Sequence, residues 1–365
     1  MNNKPPKNWK RVTLGELLDY ERPDKYIVSS EDYSDSYKTP VLTAGKTFIL
    51  GYTNDTEGIY KNLPVIIFDD FTTESKYVDF DFKVKSSAMK ILKAENNITL
   101  KYLYYLMQTL SFNHDTHKRY WISEYSKLKI DIPDKIEEQQ EIVQVLDTMS
   151  DIIRLREECI SHAQDLIPAL FQEMFGDVIQ NKKNINKIKL GKIFILSSGK
   201  FLPAKEMDET GIYPVFGGNG INGYHNEYLF DEPKLCIGRV GVKCGCVHLT
   251  KPKSWITDNA LYINKLLKPI NIIYLKEALT QINLNQYAKR AAQPVISQST
   301  IYNQYILEPP IELQEQFAQK AIEIEAYIKE QNEELENAKQ MFQSLLHHAF
   351  TGELTRHKFG GDANG

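Results

Sequence analysis

Four cysteines in 365 residues are too few for a disulfide framework, and three of them (Cys236, Cys244 and Cys246) crowd together while Cys159 stands apart. The run Cys244-x-Cys246-x-His248 alternates as a strand would and has no second pair of ligands at hand, so no metal is expected there. No apolar run approaches the roughly 18 residues of a membrane-spanning helix. The opening MNNKPPKNWK lacks the apolar core of a signal peptide, which points to a cytoplasmic chain. Charge of one sign is scarce too: a net charge of -4 neither demands nor forbids a nucleic-acid partner, because binding depends on local patches.

Signatures of catalysis are equally thin. There is no Walker lysine loop and no Asp/Asn-Pro-Pro-aromatic run for amino-methylation; NLPV at Asn62 does not substitute. The acids of FDDFTTES, from Phe68 to Ser75, have no Glu-x-Lys companion at the spacing of a metal-dependent nuclease, so they are expected to end a strand. No catalytic residue, cofactor or metal is expected. What remains is an ordinary globular composition, 42% hydrophobic and 25% charged, of a length suited to two or more domains.

The positive signal is a repeat. PDKIEEQQEIV at Pro133 is echoed by PPIELQEQFAQ at Pro309. A shift of 175 positions, with no gap, sets Ile136 on Ile311, Gln139 on Gln314, Gln144 on Gln319, Ala163 on Ala338 and Phe175 on Phe350. Upstream, VTLGEL at Val12 answers IKLGKI at Ile188, and TPVLTAG at Thr39 answers YPVFGGN at Tyr213. SAMKILK at Ser87 answers NALYINK at Asn259. The chain therefore reads as one mixed domain followed by one long helix, twice.

Both helices carry heptads. Ile142, Leu146, Met149, Ile153, Ile160 and Ala163 alternate at spacings of four and three, with Arg156 in one seam position. Phe317, Ala321, Ile324, Ile328, Leu335, Ala338 and Phe342 repeat the seam, with Gln331 in the matching slot. The connectivity closes most simply if the helices pair antiparallel, with a domain at each end and Arg156 and Gln331 near Leu335 and Ile160. Pro168 predicts a bend in the first helix only. The expected class is α+β: domain 1 over 1–135, helix 1 over 136–175, domain 2 over 176–310, helix 2 over 311–350 and a tail over 351–365.

NWKRVTLGEL, GGNGINGY, AAQPVISQSTI, PPIELQEQF, LFQEMFGD and LLHHAFTGEL together resemble the specificity subunit of Type I restriction-modification systems, over nearly the whole chain. The resemblance implies two target-recognition domains in tandem pseudo-twofold repeat, separated by two helices that form an antiparallel coiled coil. Each domain would read one half of a bipartite DNA target. Two methyltransferase subunits, and restriction subunits, would assemble on the helices, and the subunit itself would be non-catalytic. About 40 helical residues span about 60 Å, so the helices would set the gap between half-sites.

Candidate DNA contacts combine basic groups with amide and aromatic side chains, as phosphate positioning and base-edge reading require. In the first domain they are Lys46, His117, Lys118, Arg119, Tyr120 and Lys127; in the second, Gly218, Asn219, Arg239, Lys243, Lys289, Arg290 and Gln293. Gly218, Gly220 and Gly223 formally match a dinucleotide fingerprint, but turn-like company follows them in place of a helix and its acid, so a recognition loop is the better reading. Two alternatives compete: a coiled-coil adaptor whose domains bind protein, and an enzyme built on Asp69 and Asp70.

Overall fold

A computed structural model describes residues 6–45, 47–112, 119–208, 210–289 and 293–359. In chain order the first part forms β1 (Trp9–Thr13), α1 (Leu14–Leu17), β2 (Asp19–Glu21), β3 (Thr39–Leu42), β4 (Ile49–Thr53), β5 (Val65–Asp69) and β6 (Ser75–Val78). Then come β7 (Lys83–Val84), β8 (Met89–Lys93), α2 (Asn97–Met107), α3 (Tyr120–Ser123), β9 (Lys129–Pro133) and the 40-residue α4 (Ile136–Phe175). The second part forms β10 (Lys187–Lys189), β11 (Phe194–Ser198), β12 (Tyr213–Gly217), β13 (Gly220–His225), β14 (Leu235–Gly238), β15 (Val247–Leu249), β16 (Trp255–Ile256) and β17 (Ala260–Leu266). It ends with α5 (Ile272–Gln281), α6 (Gln298–Tyr302), β18 (Tyr305–Leu307), the 40-residue α7 (Ile311–Phe350) and α8 (Arg356–Phe359). Two compact units result: Met1–Glu157 with Glu334–Gly365, and Glu158–Glu333.

The sheets of the two units match strand for strand. The first unit has sheets ordered β2-β8-β5-β6, β4-β3-β7 and β1-β9; the second has β11-β17-β14-β15, β13-β12-β16 and β10-β18. In each three-stranded sheet the central strand pairs antiparallel on one side and parallel on the other, and each carries a bulge, at Val41/Leu42 and at Val215/Phe216. Bulges are placed features of a fold, so sharing one is a detailed mark of duplication. The helices after the sheets start alike: Asn96 caps α2 by accepting from Thr99 N at 2.9 Å, and Asn271 caps α5 by accepting from Ile273 N at 3.0 Å.

One correspondence differs from the sequence alignment. Asp70 N donates to Ala88 O and Arg239 N to Asn259 O, both at 2.9 Å, so Ala88, and not Ser87, matches Asn259. A register shift between Ile195 and Leu196, where β17 carries one extra residue, restores the alignment at Lys93 and Lys265. An ungapped comparison cannot see a one-residue bulge.

The helices pack antiparallel, as each unit shows on its own. In the first unit the start of α4, with Ile142 and Leu146, shares a core with Leu346 and Ala349 near the end of α7. Farther along, Glu157 pairs with Lys339 at 3.0 Å, and Arg156, the polar break in the seam, pairs with Glu334 beside Leu335. In the second unit Phe171 and Phe175, at the end of α4, meet Phe317 near the start of α7, at ring distances of 5.6 and 5.7 Å. Among the seam residues Ile142, Leu146, Met149, Ile160, Phe317 and Leu335 are buried; Ile153, Ile324, Ile328 and Phe342 are half-buried. α4 stays helical through Pro168. Gly176 and Gly352 follow the two helices with φ of +77° and +75°, a left-handed conformation that glycine adopts without a Cβ clash.

The repeated glutamines fasten each helix to its domain. Gln139 Nε2 donates to Pro133 O at 3.1 Å while its Oε1 accepts from Thr99 Oγ1 at 2.9 Å. Gln314 Nε2 donates to Pro309 O at 2.8 Å while its Oε1 accepts from Asn271 N at 3.0 Å. Both side chains are buried, so each amide spends a donor on the segment just before its long helix and its acceptor on the start of the domain's other helix. The neighbouring Glu138 has no counterpart in the exposed Leu313. Its buried Oε1 accepts from Trp9 Nε1 at 3.0 Å and from Thr355 Oγ1 at 2.7 Å.

Candidate nucleic-acid interface

In the 158–333 unit the turn between β12 and β13 packs on the end of β14. A Cβ on Gly238 would lie 1.9 Å from Gly218 O, so only glycine permits this approach. Beside this contact lies a cleft of ≈ 400 Å³. Gly218 and Asn219 come from the turn, Asn222 from β13 and Val240 to Lys243 from the β14–β15 loop, and Asn259 and Gln293 complete the lining. The polar side chains there are amides and one lysine, with no carboxylate among them.

Backbone hydrogen bonds fix this arrangement across long sequence separations. Ile296 N donates to Arg239 O at 2.9 Å, Gly241 N to Pro294 O at 2.9 Å and Lys289 N to Val295 O at 3.0 Å. The β14–β15 loop is thereby tied to Pro294 and Ile296, close in sequence to the candidates Lys289 and Gln293. Gly218, Asn219, Lys243 and Gln293 share the cleft. Arg239 is exposed at the root of the same loop, and Lys289 is exposed on the segment paired with it. Arg290 lies outside the described residues, as do Lys46, His117 and Lys118.

Three residues in or behind the cleft escaped sequence reasoning: Asn222, Asn259 and Asn285. Asn285 Nδ2 donates to Val242 O at 3.0 Å and to Cys244 O at 2.8 Å, bracing the loop from behind. Asn259 entered the sequence comparison only as the first residue of NALYINK. The formal dinucleotide glycines fall in the β12–β13 hairpin, with no helix after them. Cys236 and Cys244 are spent on packing, and burial pushes the Cys236 thiol up to about 12. Among the described residues no cluster of three or more His, Cys, Asp or Glu could hold a metal.

The first unit uses the same scaffold with different chemistry. Tyr120 N donates to Asp70 O at 2.8 Å, as Ile296 N does to Arg239 O, so Asp70 occupies the place of Arg239. Asp70 is buried: its Oδ1 accepts from Trp121 N at 2.8 Å and its Oδ2 lies 2.9 Å from Lys90 Nζ. Asp69 ends β5, and its Oδ1 accepts from Phe71 N and Thr72 N. Arg119 and Lys127 are exposed, and Lys127 Nζ donates to Ser123 O at 2.8 Å. Tyr120, a candidate DNA contact in the sequence, is placed differently from its basic neighbour Arg119. Its side chain is 1% exposed and packs edge-on against Phe112, because burying the ring is worth more than offering it to a partner.

A family model for the Type I restriction modification DNA specificity domain matches residues 6–162 and again residues 182–337. The chain belongs to this family. Among curated relatives, the EcoR124I/EcoR124II specificity subunit of Escherichia coli is 58% identical over 148 residues, 37% of this chain and 37% of that protein. The EcoprrI specificity subunit of Escherichia coli is 32% identical over 191 residues, 48% of this chain and 45% of that protein. The chain thus spans less than half the length of these two relatives. A putative type I specificity subunit of Mycoplasma pneumoniae is 22% identical over 315 residues, 80% of this chain and 82% of that protein. The fold is that of the S subunit of the M. genitalium Type I system, with a TM-score of 0.64 at 17% identity, covering 96% of this chain and 97% of that one. A chain from a structure concerning assembly and conformational transition of the type I R-M system gives a TM-score of 0.55 at 16% identity, covering 96% and 100%. Among the described residues no helix of this family member is long and apolar enough to cross a membrane.

Proposed function

We propose that this protein is the DNA-reading subunit of a Type I restriction-modification assembly and is itself non-catalytic. Each compact unit reads one half of a bipartite duplex target. Two methyltransferase subunits, and restriction subunits, assemble on α4 and α7, whose length governs the gap between half-sites. The observation that carries this reading is the cleft of the 158–333 unit, which gathers Lys243 with the amides of Asn219, Asn222, Asn259 and Gln293. Side-chain amides pair bidentately with adenine, and lysine serves phosphate or guanine. The exchange of Asp70 for Arg239 at one scaffold position supports unlike half-sites.

An enzyme built on Asp69 and Asp70 is disfavoured, because these carboxylates already bond to Phe71, Thr72, Trp121 and Lys90. Mapping methylated bases in cells that carry the chain with its methyltransferase should reveal a split motif with two different halves. An adaptor that binds only protein would give no such motif and no salt-dependent affinity for duplex DNA.

A further inference from the structure

Val242 is 84% exposed, more than any other large apolar side chain among the described residues. An exposed valine is by itself ordinary. This one stands at the tip of the loop that walls the cleft, with Lys243 beside it and amides opposite. We propose that Val242 is the residue through which the 158–333 unit detects the C5 methyl group of a thymine, an inference that rests on the DNA-reading function above.

The loop is built to hold this side chain in one place. The carbonyl of Val242 accepts from Asn285 Nδ2 at 3.0 Å, and the residues on either side are tied down as well: Gly241 N to Pro294 O, Cys244 N to Gly241 O, and Gly245 N to Gly238 O at 2.7 Å. Cys244 itself is anchored in the hydrophobic core. A β-branched side chain adds little rotamer freedom to lose on contact. Such bracing fixes where the Cα–Cβ bond of Val242 points, so an apolar group brought to that place meets the side chain without reordering of the loop. In the major groove the thymine C5 methyl is the one methyl group on a base edge, and the N7, O6, O4, N4 and N6 positions beside it are hydrogen-bond acceptors or donors. Flanking amides and Lys243 can satisfy those polar features and leave Val242 the methyl. The matching loop of the first unit carries Asp69 and Asp70 in place of Gly238 and Arg239, so the arrangement belongs to one half-site only.

The test uses the full chain and duplexes of its mapped target in which each thymine in turn is replaced by deoxyuridine, which removes the methyl and keeps the pairing. One replacement should weaken wild-type binding about fourfold, the value of one buried methyl group. Val242→Ser should bind the thymine and uracil duplexes alike, and Val242→Ile should keep the preference. The proposal is overturned if neither half of the target contains thymine, if no replacement changes wild-type affinity beyond about twofold, or if Val242→Ser keeps the full loss. Salt-dependent binding of the unmodified duplex separates the two levels. If it is absent, the DNA-reading function fails and takes this inference with it; if it is present without uracil sensitivity, only the Val242 assignment falls.

Discussion

Lys90 Nζ stands 2.9 Å from Asp70 Oδ2, and the two side chains are 3% and 2% exposed. Removing one member of a buried pair leaves the other charge without compensation, typically at about 3–5 kcal/mol. Asp70→Ala should therefore destabilise the first unit by about that amount in chemical denaturation, whereas the double change Asp70→Ala with Lys90→Met should recover much of the loss. Equal losses for the single and double variants would show that the pair has no such role.

The paired glutamine latches make a second prediction. Gln139→Leu and Gln314→Leu each strand a buried carbonyl, Pro133 O or Pro309 O, and a buried donor. Each should cost about 1–3 kcal/mol, read from the denaturation midpoint. Hydrogen exchange should speed up at the first turn of α4 in one variant and of α7 in the other.

Acid should loosen the first unit in a defined window. Asp55 is held down to about 2, first by the hydroxyl and amide of Ser29 and then by Lys83 at 3.0 Å. A depressed carboxylate stabilises the fold above its ordinary value near 3.8, and the contribution is lost as pH falls from there through about 2. Asp55→Asn should flatten that limb of the stability profile by on the order of 1–2 kcal/mol, measured by thermal melts between these pH values.

Charges and amides of the cleft should separate by experiment. Lys243→Gln and Arg239→Gln should each lower the slope of log affinity against log salt by about 1, with little change in the bases preferred at phosphate-contacting positions. Asn259→Ala should leave the salt slope intact and cost about 1–3 kcal/mol of discrimination at one base pair. A uniform loss of affinity in all three variants, with no change in slope, would place duplex DNA elsewhere on the unit.

The helices were legible because heptad spacing is a local property of the chain: Ile142, Leu146, Phe317 and Leu335 state their packing without any knowledge of the rest. The duplication was legible for the same reason, through stretches such as VTLGEL and IKLGKI. The cleft was legible only as scattered candidates. Lys243 and Gln293 meet because Gly241 N finds Pro294 O across some fifty residues, and no local pattern encodes that pairing. The burial of Tyr120 is not legible beside its basic neighbours, because it depends on contact with Phe112, which no local pattern encodes. The shift at Asn259 was hidden in a single bulged residue of β17.

Glu138 Oε1 takes hydrogen bonds from both Trp9, at the head of β1, and Thr355, beyond the end of α7. Segments separated by almost the entire polypeptide thus meet at one oxygen atom. Proteolysis or a tag on either segment should be felt by the other, since Asn8 Nδ2 also donates to Phe359 O at 3.2 Å and the two ends are laced together beside that oxygen.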